Sequence, residues 1–212
     1  MELIIKIILS YLLGSFSGSM ILGKFKGIDI REMGSGNAGG TNALRTMGLI
    51  FAIGTILIDI FKGYIAVTIL PFLKLGHTPI INTIDLETLL VICGIGAIIG
   101  HVYPIYYKFR GGKGAGTVIG ILIALFPISL SICLPIWLVV LILSGYVGLS
   151  TIIAGIVLPI CTTIFYTNGL YSPFGFFSII ISLFIIYTHR SNIYRMIAKS
   201  EHRFEKIMIF KK

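Results

Sequence analysis

Between Lys113 and Arg190 the chain contains no aspartate, glutamate, lysine or arginine. About a quarter of the residues of a soluble domain are charged, whereas this chain of 212 residues is 12% charged and 56% hydrophobic, with a mean hydropathy of +1.00. Several apolar runs reach the roughly 20 residues that a bilayer-spanning helix needs. We therefore predict an all-α polytopic membrane protein that forms a single domain over residues 1–212.

The apolar runs, and the polar breaks between them, predict about seven transmembrane helices. The predicted spans are 3–23, 49–70, 89–107, 117–126, 128–143, 151–166 and 174–187. The first run is expected to stay as a helix, because it lacks a basic start and exceeds the length of a signal-peptide core. The fourth run is only about half as long as a usual span. If the fourth and fifth runs form one helix, two more runs must also join, because an even number of spans has to separate two cytoplasmic segments. The alternative total is then five spans.

The basic residues lie in clusters beside the apolar runs and give the chain a formal charge of +9. Such clusters mark cytoplasmic loops and contact anionic lipid headgroups, so we expect a lipid bilayer as partner and no nucleic acid. Residues 24–48, residues 107–117 and the tail from His189 onward are then cytoplasmic, and the weakly basic loop after the second span is external. This orientation places the N-terminus outside and the C-terminus in the cytoplasm, with three polar blocks on one face.

The first polar block, residues 34–45, combines glycines with hydroxyl, amide and guanidinium side chains. Glycines allow backbone N–H groups to turn together toward an anion, and the polar side chains supply further donors. The block therefore predicts a phosphate site, for which the candidate residues are Ser35, Gly36, Asn37, Thr41, Asn42 and Arg45. The alternative is a flexible polar loop between two membrane helices. A dinucleotide fingerprint is excluded, because charged loop precedes the motif where a strand is required.

The second polar block, residues 108–117, contains three bases and no acid. Its open backbone and its lysine suit a phosphate group, and the residues concerned are Gly111, Gly112, Lys113 and Gly114. A P-loop is excluded, because glycine replaces the serine or threonine that follows the lysine of that motif. His101 comes shortly before the block. It is either a helix-end histidine bonded to a carbonyl group or an acid–base or phosphate-binding group.

Asp59 and Lys62 are three residues apart within the second predicted span, so they lie on one face of its helix. Ionisable groups at such depth are costly and usually face protein or water. The two residues therefore form either a structural ion pair or support for a neighbouring polar site.

The third polar block begins after the last predicted span. Asn192 and Arg195 share one helical face if that helix continues, and Glu201 follows shortly afterwards. A run of bases alone usually contacts lipid headgroups. An asparagine within the run is harder to explain in that way and indicates a polar site.

Several other chemistries lack their sequence signals. The histidines do not have metal-ligand spacing with carboxylates, so no metal is expected. The three cysteines lie in apolar runs without a CxxC pair and are interpreted as packing residues. No Gly-x-Ser-x-Gly nucleophile elbow is present, and no paired nucleophile and base is evident.

Residues 35–45, residues 100–104 with 108–114, and residues 190–195 with Glu201 resemble, in that order, three motifs of one family. This family is the bacterial acyl-phosphate-dependent glycerol-3-phosphate acyltransferases, which are integral membrane enzymes. The resemblance covers nearly the whole chain and the order of its elements.

The resemblance implies that the acyl group of an acyl-phosphate moves to the sn-1 hydroxyl of glycerol 3-phosphate. The products are lysophosphatidic acid and phosphate, in the first step toward phospholipid. It also implies a seven-helix enzyme of the bacterial inner membrane, with a cytoplasmic active site and no cofactor, metal or acyl-CoA. The expected catalytic residues are Ser35, Arg45, His101 and Lys113. The expected substrate-binding residues are Gly36, Asn37, Thr41, Asn42, Gly111, Gly112, Gly114, Asn192, Arg195 and Glu201.

The rival function is a small membrane transporter for phosphorylated solutes, because glycine-rich loops and broken helices also line such pathways. Two features count against it. The two halves of the chain show no evident repeat, and the polar blocks are expected on one membrane face and not at the midplane.

Overall fold

The computed structural model describes residues 1–75 and 84–209, without the side chain of Lys206. Part of the predicted external loop and the last residues of the basic tail lie outside this range. The secondary structure of the described residues is helical, without strands. The helices are α1 (Glu2–Gly14), α2 (Gly18–Phe25), α3 (Gly40–Met47), α4 (Leu49–Thr68), α5 (Leu86–Val102), α6 (Ala115–Leu125), α7 (Pro127–Ser144), α8 (Val147–Phe165), α9 (Pro173–Thr188) and α10 (Arg190–Ile197). Short 3-10 turns lie at Ile30–Glu32, Leu70–Phe72, Ile105–Tyr107, Gly169–Tyr171 and Glu205–Ile207.

Each predicted span corresponds to a helix or a pair of helices. Among the described residues, four helices are long and apolar enough to cross a membrane, and the number rises to six if each of two bent pairs is one span. The helix α6 is apolar but shorter, as its run of residues indicated. The all-helical membrane fold is therefore confirmed, while the total of seven crossings and the orientation of the termini stay predictions.

The chain divides into two compact units, Met1–Phe126 and Pro127–Lys212. In the first unit, α4 is the central helix and packs against α1, α2, α3, α5 and α6. Small residues permit the closest approach: Gly63 of α4 lies directly against the backbone of Thr117 in α6, where a side chain would clash. Such small contact residues are typical of helix packing in membranes. The single-domain interpretation stays a prediction.

The first predicted span, residues 3–23, is wrong as one continuous helix. The chain breaks between α1 and α2, and the two axes are bent by 49°. The break frees the Phe16 carbonyl and the Gly18 N–H, which α4 then satisfies: Lys62 Nζ donates to Phe16 O at 2.7 Å, and Gly18 N donates to Asp59 Oδ1 at 3.2 Å. A break inside a membrane helix is tolerated when neighbouring groups satisfy its backbone in this way.

In the second unit, α8 packs against α7 and α9, and α10 continues α9 after a bend of 50°. The indole Nε1 of Trp137 in α7 donates a hydrogen bond of 3.1 Å to Thr151 Oγ1 in α8. The segment after α10 packs on the turn between α7 and α8, where Phe204 N donates to Gly145 O at 2.9 Å. The third polar block belongs to this unit.

Candidate active site

The first polar block forms a loop that leads into α3. Gly34 and Gly36 have φ angles of +57° and +71°, which side chains disfavour, so glycine is needed there for the loop to turn. Ser35 between them is exposed, and Arg45 on α3 is half-buried. The loop therefore presents backbone and polar side chains near the start of a short helix, as an anion site requires.

Asn42 is buried beneath this loop and is used to hold its shape. Its Oδ1 accepts a hydrogen bond from Ser35 N at 2.9 Å, and its Nδ2 donates to Ile30 O at 3.1 Å and to Met33 O at 3.0 Å. Both hydrogens and the oxygen of the amide thus contact the loop's own backbone. The structure places Asn42 below the loop, whereas Ser35 is exposed, and a direct phosphate contact from Asn42 stays a prediction.

The second polar block folds back on the end of α5. Gly111 N donates to Val102 O at 3.1 Å, and Gly112 N donates to His101 O at 3.2 Å. Gly114 has a φ angle of +92° and is the N-cap of α6, so Lys113 lies between this return turn and a helix N-terminus. Its position suits a lysine that accompanies backbone N–H groups toward a phosphate.

The two blocks meet at Gly112. A Cβ atom added there would collide with the imidazole Nε2 of His101 and would lie 3.1 Å from Ala38 O in the first block. The absence of a side chain at this position therefore allows the two loops and the histidine to come together. The structure brings His101, Gly112 and the first block into one place, while a composite site of all three blocks stays a prediction.

Arg31 makes a second link between the two loops, which the sequence analysis did not find. Its Nη1 donates to Tyr107 O at 2.7 Å and to Arg110 O at 3.2 Å. Its Nη2 also forms an ion pair of 2.6 Å with Asp29, and the hydrogen bonds from Arg31 hold the pKa of that carboxyl below its usual range. A basic residue two positions after an acidic one was the available signal, but it does not identify the distant carbonyl partners.

A buried cluster of Asp59, Lys62 and His101 lies behind the junction. Lys62 Nζ is 2.9 Å from Asp59 Oδ1 and 2.8 Å from His101 Nδ1, and the three side chains are 3–4% exposed. Asp59 and Lys62 therefore do more than pair with each other, because they contact a predicted catalytic residue. The structure thus shows the ion pair and its contact with His101, and its support for a functional polar site stays a prediction.

The third polar block is organised around Glu201. The carboxylate is buried and accepts hydrogen bonds from Asn192 Nδ2 at 3.2 Å and from Arg195 Nε at 2.6 Å. Asn192 also packs directly against Gly148 at the start of α8. A carboxylate repels phosphate, and its two hydrogen bonds here suit Glu201 to orient the two donors, so a substrate contact from Glu201 itself stays a prediction. Substrate contacts from Asn192 and Arg195 stay predictions.

The described ranges hold no group of three histidine, cysteine, aspartate or glutamate side chains that could bind a metal ion. Asp29, Asp59 and His101 of the first unit are instead used in the contacts described above. That the reaction needs no metal stays a prediction.

The family model for glycerol-3-phosphate acyltransferase matches residues 4–199, which is nearly the whole chain and includes the first two polar blocks together with Asn192 and Arg195 of the third. The chain belongs to this acyltransferase family. Curated glycerol-3-phosphate acyltransferases of Chlorobium luteolum and Chlorobaculum tepidum are 38% and 40% identical to it, over 96% and 93% of this chain and 97% and 94% of their own lengths. The family serves phospholipid synthesis.

Solved structures of the same acyltransferase family have the same fold. The chain is similar to the glycerol 3-phosphate form of PlsY (YgiH), an integral membrane glycerol 3-phosphate acyltransferase, with a TM-score of 0.82 and 31% identity over 96% of each chain. It is also similar to the lysophosphatidic acid form, with a TM-score of 0.80 and 30% identity over 96% of each chain. The chain is thus an integral membrane protein with the PlsY fold.

Proposed function

We propose that this protein transfers the acyl group of an acyl-phosphate to the sn-1 hydroxyl of glycerol 3-phosphate at the cytoplasmic face of the bacterial inner membrane. The observation that carries the proposal is the junction at Gly112, where two glycine-rich blocks and His101 meet within one compact unit. A reaction between two phosphate compounds needs two anion sites, and each glycine-rich loop offers backbone N–H groups and a basic side chain for one of them. The glycerol 3-phosphate and lysophosphatidic acid forms of PlsY support the same acceptor and product.

In the proposed reaction, the sn-1 hydroxyl oxygen forms a bond with the acyl carbon. The bond between that carbon and the bridging oxygen breaks, and inorganic phosphate leaves with the electron pair. The proton of the hydroxyl passes to His101 or to a substrate phosphate oxygen. An acyl-phosphate is already activated, so no covalent enzyme intermediate is needed.

The chain's own residues bind and orient the two phosphates. Arg45 suits a bidentate contact with one phosphate, and exposed Ser35 offers it a hydroxyl donor. Lys113 and the neighbouring glycine backbone suit the other phosphate and the oxyanion that develops at the acyl carbon. Most of the rate then comes from positioning and from fixed donors, since there is little other chemistry for the protein to do.

The test uses the purified full chain in detergent with palmitoyl-phosphate and radiolabelled glycerol 3-phosphate. The expected result is labelled lysophosphatidic acid, with palmitoyl-coenzyme A giving no product in a parallel reaction. Positional analysis of the product is expected to find the acyl group at sn-1. No product from palmitoyl-phosphate, or an acyl group trapped covalently on Ser35, contradicts the proposal.

A further inference from the structure

The hydrogen bonds of Lys62 decide which nitrogen of His101 carries the imidazole proton. Lys62 Nζ lies 2.7 Å from Phe16 O, 2.9 Å from Asp59 Oδ1 and 2.8 Å from His101 Nδ1. A lysine ammonium has three donors and no acceptor, so these three neighbours use all of its protons. The third neighbour, His101 Nδ1, must therefore accept, which leaves it without a proton of its own.

The competing arrangement is a proton on Nδ1 that is donated to Asp59. The distance from His101 Nδ1 to Asp59 Oδ1 is 3.4 Å, which is longer than a usual hydrogen bond of this kind and than the 2.8 Å to Lys62. A protonated Nδ1 would also place two donors face to face at that shorter distance. Asp59 is already engaged by Lys62 and by Gly18 N at 3.2 Å. The geometry therefore favours donation from the lysine to the histidine.

The other nitrogen of His101 faces the proposed substrate. Nε2 lies directly against Gly112 at the junction of the two glycine-rich blocks. In residues 1–75 and 84–209, the hydrogen-bond and ion-pair contacts of the His101 side chain run through Nδ1, toward Lys62 and Asp59. A neutral imidazole with an accepting Nδ1 has its proton on Nε2. His101 thus presents a hydrogen-bond donor, not a base, at the junction.

We propose that Lys62, itself held by Asp59, is a positioning residue that locks His101 in the Nε2–H tautomer. The histidine then acts by donating a hydrogen bond to an oxygen of the substrate or of the developing oxyanion. This inference rests on the proposed function for the identity of that oxygen. It removes His101 as acceptor of the hydroxyl proton, so that of the two routes given above only the substrate phosphate oxygen remains.

The test is nitrogen-15 NMR of the full chain, labelled on its histidines and reconstituted in lipid at about pH 8, above the ordinary histidine pKa. The His101 signals are assigned by their loss in His101→Gln. The matched pair of variants is Lys62→Met and Lys6→Met. Lys6 is an equally buried lysine of the same unit that pairs with Glu2 at 2.8 Å and donates to Pro71 O at 2.6 Å, and neither partner is a histidine.

The expected result is an Nε2–H tautomer for His101 in the unaltered protein and in Lys6→Met. In Lys62→Met, the proton is expected to shift to Nδ1, where Asp59 is the nearest acceptor, and kcat is expected to fall by about 10²-fold, as for a misplaced catalytic group. If Lys62 were only structural, Lys62→Met would lower the yield of folded protein, as Lys6→Met would, and the tautomer of His101 would stay unchanged.

An Nδ1–H tautomer or a doubly protonated ring in the unaltered protein overturns the inference, as does an unchanged tautomer in folded Lys62→Met. The NMR measurement needs no substrate. Failure of the proposed function, seen as no acyl transfer by the unaltered protein, is therefore distinguished from failure of this inference.

Discussion

The side-chain oxygen of Asn42 accepts a hydrogen bond from the backbone N–H of Ser35 at 2.9 Å, so a buried amide fixes the position of an exposed, predicted catalytic serine. The same amide donates to two carbonyl groups earlier in the loop. Gly34 also packs against Asn42, where an added Cβ would clash. The buried side chain of Asn42 therefore stabilises the conformation of the first block.

Replacement of Asn42 by aspartate is expected to destabilise the protein and disorder this loop. The aspartate can still accept from Ser35 N, but it faces two carbonyl oxygens where the amide donated. Loss of buried hydrogen bonds of this type costs about 1–3 kcal/mol. Reversible unfolding in mixed micelles measures the free energy, and the activity per folded molecule is expected to fall as well. The control is Thr46→Ala on the same helix, whose hydroxyl donates to the helix backbone at 2.8 Å and not to the loop among the described residues. An equal effect of both changes would contradict the role of Asn42.

The helical segments could be predicted because length and hydropathy are local properties of the chain. The bend after α1 could not, since the groups that stabilise it, Asp59 and Lys62, come from another helix. The two glycine-rich blocks could be recognised by their composition, but their meeting at Gly112 depends on contacts between residues far apart in the chain. The structural role of Asn42 could not be predicted, because the sequence does not distinguish an asparagine that bonds to its own loop backbone from one that binds substrate.

Replacement of Arg45 by alanine is expected to raise KM for glycerol 3-phosphate and to lower kcat together. The guanidinium is proposed to bind a phosphate that must also be positioned for reaction, and such a charged contact is worth about 1.5–3 kcal/mol, or roughly 10- to 100-fold in kcat/KM. Initial-rate kinetics with palmitoyl-phosphate held in excess measure the effect. Arg45→Lys is expected to recover only part of it, because a lysine ammonium keeps the charge but lacks the planar fork of donors that fits two phosphate oxygens. The control is Lys24→Ala, which removes an exposed charge of the preceding segment, and an unchanged KM in Arg45→Ala would rule out the phosphate role.

A cysteine at position 144 tests the orientation of the chain. Ser144 ends α7, and the seven-span prediction places this end of the helix on the cytoplasmic side. The native cysteines at 93, 133 and 161 are buried and unpaired, so they can be replaced by serine or alanine to give a clean background. In intact cells, Ser144→Cys is expected to resist a membrane-impermeant maleimide and to react after permeabilisation. Labelling in intact cells would favour a different number of crossings before this position.

Replacement of Gly112 by alanine is expected to lower activity far more than stability. The new methyl group would press on the His101 ring and approach Ala38 O, moving apart groups that the proposed reaction needs together. Displacement of a reacting group by about 1 Å costs on the order of 10²-fold in rate. Gly94→Ala is the control in the same unit, because the three atoms nearest to its Cβ would be side-chain methyl groups at 3.3–3.6 Å, which can move aside. Similar activities of the two variants would show that the junction at Gly112 is not part of the active site.

Replacement of His101 by glutamine separates its two proposed chemistries. The glutamine side-chain amide can occupy the place of Nε2 and donate a hydrogen bond there, but it cannot accept a proton as a base. If His101 acts as a donor, His101→Gln is expected to keep at least about tenfold more activity than His101→Ala, since one hydrogen bond to a charged group is worth about 1.5–3 kcal/mol. Both variants are compared as kcat at saturating glycerol 3-phosphate, after thermal denaturation has shown that each is folded. Two results together would assign His101 as the base instead. The two folded variants would lose activity equally, and the rate of the unaltered protein would rise with pH as a single group deprotonates near the histidine pKa.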